Sequence, residues 1–116
     1  MAAGVYDITV EQGATFRLSL TWKDSTGAVV NLTGYTARMQ IRETYESEET
    51  IASFTSAGGS IVLGGALGTV VVTASATDTA KIQMTPAVYD LEVEASNGVV
   101  TRLLQGKANI TREVTR

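Results

Sequence analysis

Cysteine and histidine are both missing from this 116-residue chain, and the two absences remove most familiar reactive sites. Without Cys there is no disulfide, no thiol nucleophile and no zinc–thiolate centre. Without His the usual general base, metal ligand and pH switch go as well. Proline occurs once, at Pro86, so that position carries weight as a break in local structure. No apolar run approaches the roughly 18 residues that mark a membrane-spanning helix. The N-terminus has no basic stretch followed by an apolar block, so no signal peptide is read. The sequons at Asn31 and Asn109 are then expected to be chance matches in a protein made in the cytoplasm. Nine basic residues against twelve acidic ones give a net charge of −3, with no basic stripe. Neither nucleic acid nor a membrane is therefore an expected partner.

What is present reads as one globular domain over residues 1–116, with 44% hydrophobic and 18% charged residues. The hydrophobic period is two almost throughout, the signature of strands. Residues 5–10 alternate with Tyr6, Ile8 and Val10 on one face. Residues 15–23 alternate most cleanly, with Phe16, Leu18, Leu20 and Trp22 inward. The turn at residues 24–27 leads into a short returning strand at 28–32. Residues 36–42 place Ala37, Met39 and Ile41 inward. Residues 43–50 are polar and acidic with no apolar period, so they read as an exposed loop. A weak, edge-like strand follows at 51–55. Strands at 60–63 and 69–74 flank the glycine-rich residues 64–68, with Val70, Val72 and Ala74 inward.

Residues 77–93 organise the rest. Thr77 is expected to cap a short helical turn through residues 78–82, with Asp78 near the positive end of its dipole. Pro86 then ends the turn and starts a strand. Tyr89, Leu91, Val93 and Ala95 point inward, and Asp90, Glu92 and Glu94 outward. Asn97-Gly98 predicts a tight hairpin. The return strand at 99–104 could bury either face, and Gly106 is a candidate bulge. The last strand, 107–114, turns Ala108, Ile110, Arg112 and Val114 inward. Short strands separated by turns predict an all-β, immunoglobulin-like antiparallel sandwich. Tyr89 then fits the corner tyrosine of such sandwiches, its hydroxyl bonded to backbone in residues 76–81.

No constellation of side chains reads as catalytic. Asp90, Glu92 and Glu94 lie in a row on one wet strand face, where ordinary pKa values are expected, rather than across a cleft. Residues 64–68 are not followed by the Gly-Lys-Ser/Thr of a phosphate loop, and residues 105–108 fail the same test. Glu43, Glu46, Glu48 and Glu49 lack the fixed spacing and glycine of a calcium loop, so no metal or other cofactor is expected. Exposed Tyr35 and Tyr45, with Glu46, Glu48 and Glu49, are the candidate interface residues for a basic partner surface. Trp22 reads as core rim. Tyr89, Pro86 and Asp78 are structural corner residues.

Two segments carry a resemblance. Val30-Asn31-Leu32-Thr33-Gly34-Tyr35 runs on through Arg42. Tyr89-Asp90-Leu91-Glu92-Val93 is followed by residues 99–106 and the ending at 110–115. Together they resemble the small immunoglobulin-like sandwich proteins of tailed bacteriophages, including the N-terminal domain of phage baseplate upper proteins. The resemblance implies a non-enzymatic virion structural protein docked in the tail, baseplate or neck region. Its implied partners are other virion proteins in symmetric copies. The chain stops at Arg116, without the linker of longer baseplate proteins, so an accessory subunit is expected rather than a fibre anchor. A capsid decoration protein and a carbohydrate-binding module are the alternative expectations.

Overall fold

The computed structural model describes residues 4–82 and 86–112. In the larger sheet the strand β4 (Thr36–Arg42) has a paired neighbour on each side, and its strict alternation buries Ala37, Met39 and Ile41 and turns the residues between them outward. Numbering in chain order, β1 is Gly4–Val5, β2 Ile8–Glu11, β3 Phe16–Thr21, β5 Ala52–Thr55, β6 Ile61–Leu63 and β7 Thr69–Ala74. The helix α1 is Ala76–Ala80, and β8 (Ala87–Glu94) and β9 (Val100–Thr111) complete the chain.

The larger sheet has six strands in the order β1-β9-β8-β4-β5, with β2 also on β9. β8 lies antiparallel to β4, placing Leu91 opposite Met39 and Tyr89 opposite Ile41. The hairpin to β9 closes through Ala95 and Val99, with Gly98 at φ 91° as the Asn-Gly turn requires. The smaller sheet is β3-β7-β6. Its inward row of Phe16, Ile61, Val70, Val72 and Ala74 packs against the inward rows of β4 and β8. Each large aliphatic side chain buried there contributes about 1.5–3 kcal/mol. With β3, β6 and β7 in one layer and β4, β5, β8 and β9 in the other, the order is that of an immunoglobulin-like sandwich.

Several local features differ from the sequence expectation. The N-terminal strands run parallel to β9, so the sandwich is not purely antiparallel. Alternation does not persist through residues 5–10: the strand breaks at Tyr6–Asp7, and Tyr6 is 55% exposed while Ile8 and Val10 are buried. The helix starts at Ala76, and its cap is Ser75 rather than Thr77, the Ser75 Oγ accepting the Asp78 N–H at 3.1 Å. Residues 28–32 form a single bridge, Lys23 to Val29, rather than a strand. The bulge in β9 lies at Leu103 rather than Gly106. Glu92 faces Arg102 and Leu91 faces Leu104, leaving Leu103 as the extra residue, itself buried. Arg112 is exposed, and Val114 lies outside the described residues.

Candidate functional site

Three strands build the open outer face of the larger sheet. β4 contributes Arg38, Gln40 and Arg42; β8 contributes Val88, Asp90, Glu92 and Glu94; β9 contributes Arg102, Gln105 and Lys107. A carboxylate row is therefore flanked by two cationic rows. Arg38 spans Glu92 and Glu94 at 3.0 and 3.3 Å, and Arg102 reaches Asp90 and Glu92 at 3.5 and 3.9 Å. Such solvent-facing pairs contribute at most about 1 kcal/mol each, so the row orders the face more than it stabilises the fold.

The β8 carboxylates are half-buried rather than fully wet. Burial raises the Asp90 carboxyl above its usual range, the neighbouring Glu92 adds to this, and Arg102, Arg42 and Arg38 oppose it. The expectation of an ordinary Asp90 is thus corrected: one carboxylate on this face is held with its charge incompletely compensated. Asp90 lines a shallow hollow of about 160 Å³ together with Gln40, Arg42, Tyr45, Val88, Tyr89 and Glu92.

Tyr45 lines that hollow from the β4–β5 loop, and the loop is fastened by its own hydrogen bonds. The Arg42 guanidinium donates to the Ser47 carbonyl at 2.7 Å and to Gln40 Oε1 at 2.9 Å. The Ser47 N–H bonds back to the Thr44 carbonyl at 3.2 Å, and the Thr44 and Ser47 hydroxyls lie 2.9 Å apart. Tyr45 is nevertheless 65% exposed. A large aromatic on a fixed turn offers contact area without much ordering cost, which is what an interface anchor needs. Glu46, Glu48 and Glu49 are exposed on the same loop, and Glu48 and Glu49 line a second shallow groove with Glu43. Among the described residues, none of these loop glutamates is ion-paired, and no three carboxylates converge as a metal-holding cluster.

Tyr35 does not join this group. It stands at the opposite end of β4, roughly seven strand residues or about 23 Å away. It is half-buried there, edge-on to Trp22 with ring centroids 6.1 Å apart at 80°. Trp22 is core rim, as expected.

The corner residues form a separate, closed region. Tyr89 is buried, but its hydroxyl donates to the Tyr6 carbonyl in the β1–β2 break and not to residues 76–81. Burial, with the Tyr6 and Asp7 groups adding to it, pushes the Tyr89 hydroxyl up to about 12. Asp7 replaces the missing backbone acceptor by taking the Lys107 N–H at 3.0 Å. This crossing needs Gly106, because a Cβ there would sit 2.5 Å from the Tyr6 carbonyl oxygen. The tie between α1 and the rest is Thr79, fully buried, which donates to the Ala14 carbonyl at 2.8 Å and accepts from the Gly13 N–H at 3.1 Å. Gln12 adds a bond to the Ile82 carbonyl at 3.0 Å. Pro86 is exposed just before β8, and Asp78 is exposed on α1.

Sequence reasoning missed Thr79, Asp7, Gly106 and the special position of Asp90. The one available signal was the Gly opposite a predicted corner tyrosine. No protein-family model matches the chain, and no curated protein matches it.

Proposed function

We propose that this chain is a non-enzymatic structural subunit of a tailed-phage particle, docking on neighbouring tail, baseplate or neck proteins through the outer face of its larger sheet. The observation that carries the reading is Tyr45, exposed on a fastened turn that shares a hollow with the half-buried Asp90 on an open face. A flat, charge-ordered sheet face with one rigid aromatic suits the surface of another protein better than a small substrate. The resemblance of residues 30–42, 89–93, 99–106 and 110–115 to phage sandwich proteins supports the same direction. Docking of this kind is repeated by particle symmetry, so many copies per particle are expected. Trp22 and Tyr35 meet edge to face and half-buried, so they offer no coplanar platform for a sugar ring. Mass spectrometry of purified particles tests the reading. The chain should be recovered in stoichiometric amounts, and its absence from the particle overturns the proposal.

A further inference from the structure

The chain has three asparagines, and the residue after each sets how readily its side chain can react with the backbone. Asn31 is followed by Leu32 and Asn109 by Ile110, whose bulky side chains crowd their own backbone nitrogens. Asn97 is followed by Gly98, which has no Cβ to crowd the nitrogen. That pair sits at the tip of the β8–β9 hairpin, where both residues are exposed to water. The turn treats the two groups that would react there differently. The Val99 N–H donates to Asn97 Oδ1 at 3.1 Å, which draws electron density from Cγ and readies it as an electrophile. The Gly98 N–H donates to the Ala95 carbonyl at 2.9 Å, and the Ala95 N–H closes the hairpin on the Val99 carbonyl at 2.9 Å. The Gly98 nitrogen must shed that proton to attack, so the turn locks the nucleophile while preparing the electrophile. Asn31 is an internal control: its Oδ1 takes the Thr33 N–H at 3.0 Å in the same manner, but Leu32 follows it.

We propose that Asn97 is a site of spontaneous conversion to isoaspartate and aspartate, gated by opening of the β8–β9 hairpin. When the Gly98–Ala95 hydrogen bond opens, the Gly98 nitrogen forms a bond to Asn97 Cγ. The Cγ–Nδ2 bond breaks, and Nδ2 leaves as ammonia together with the proton given up by Gly98. Water then opens the resulting cyclic imide at either of its two C–N bonds. Cleavage at the backbone carbonyl carbon of residue 97 routes the chain through Cγ and gives isoaspartate, whereas cleavage at Cγ gives aspartate. Either product adds a negative charge at the hairpin tip, and isoaspartate also adds one carbon to the backbone inside the turn. The tip leads straight into the Glu94–Val100 pair, so the added carbon frays the end of the ladder where Arg38 reaches Glu94. Conversion therefore records how often the hairpin opens, a local event that needs no global unfolding. The inference does not depend on the docking reading.

The test is peptide mapping by mass spectrometry after incubation of the full chain at mildly alkaline pH, with and without denaturant. A capped peptide of residues 95–99 is the open-chain reference. The folded chain should convert Asn97 at least tenfold more slowly than the peptide, and the denatured chain at the peptide's rate. Isoaspartate should exceed aspartate in all three, while Asn31 and Asn109 stay amides over the same time even in denaturant. In urea below the unfolding transition, conversion and amide exchange of Gly98 should rise together. Conversion of the folded chain at the peptide's rate, or exchange that rises without conversion, would overturn the gate. Asn97 left unconverted in the denatured chain would overturn the site, and aspartate formed without isoaspartate would overturn the imide route. Asn31 or Asn109 converting as fast as Asn97 in denaturant would overturn the role given to Gly98. Each of these failures leaves the particle-recovery test unaffected, so the two proposals fall separately.

Discussion

The corner under Tyr89 and the face over β8 use the same kinds of residue to opposite ends. At the corner, Tyr89, Thr79 and Asp7 each close a bond to backbone from a distant part of the chain. On the face, Asp90, Glu92 and the loop glutamates meet long exposed cations or no cation at all. Burial converts a polar group into a structural tie only when its partner is fixed, since an unpaired buried group costs about 1–3 kcal/mol. Where the partner is a mobile surface side chain, the same group stays available to something outside. Stability then belongs to the corner, the face is left open for the proposed docking, and each half can be broken separately.

The largest expected effect is at Gly106. Gly106→Ala should destabilise the chain by about 3 kcal/mol in a denaturant titration, because a Cβ there meets Tyr6 backbone that cannot give way. Next is Thr79→Val, which keeps the volume but leaves the Gly13 N–H and Ala14 carbonyl unpaired. A loss of about 2 kcal/mol is expected, and Thr79→Ser should recover most of it.

Tyr89→Phe should cost about 1 kcal/mol at neutral pH. Its pH signature is more diagnostic. Tyr89 ionises at about 12 in the folded chain against an ordinary value of 10, so the fold favours the neutral hydroxyl. That contribution is complete below pH 10 and is lost as pH rises through 12, on the order of 2 kcal/mol across the window. Denaturant midpoints for the wild type should fall over that range by more than those for Tyr89→Phe. Parallel curves would remove Tyr89 from the corner account.

The smallest stability effect belongs to the face. The fold favours protonated Asp90, so its contribution is present below about 3.8 and lost as pH rises through its raised value. At neutral pH Asp90→Asn should then change stability by no more than about 0.5 kcal/mol, while weakening attachment to the particle. A large destabilisation would place Asp90 with the corner groups.

How much of this could be read from residues alone follows the same division. β4 and β8 were legible because one buried face imposes strict alternation, and Asn97-Gly98 named its own hairpin. Tyr6 was not. Residues 5–10 alternate as smoothly as any strand, and the break depends on Gly106 a hundred residues away giving room to a carbonyl. Thr77 and Ser75 are both good caps by type, and it is Ser75 that holds the extended backbone of a cap and takes the Asp78 N–H. Tyr45 was recognisable as an aromatic in a polar loop. Its anchoring by Arg42 was not, because residues 43–50 carry no periodicity that would tell which way the loop folds. Asp90 looked like its neighbours Glu92 and Glu94, and its difference arises from its burial in the folded sheet and from the adjacent Glu92.

Tyr45→Ala tests the central division most directly, read twice on one variant: melting of the isolated chain, and its recovery in purified particles against wild type. The account predicts an unchanged melting temperature and recovery reduced roughly thirtyfold under competition, the loss of about 2 kcal/mol expected of an anchoring aromatic. Full recovery, or a chain that melts markedly earlier, would contradict it.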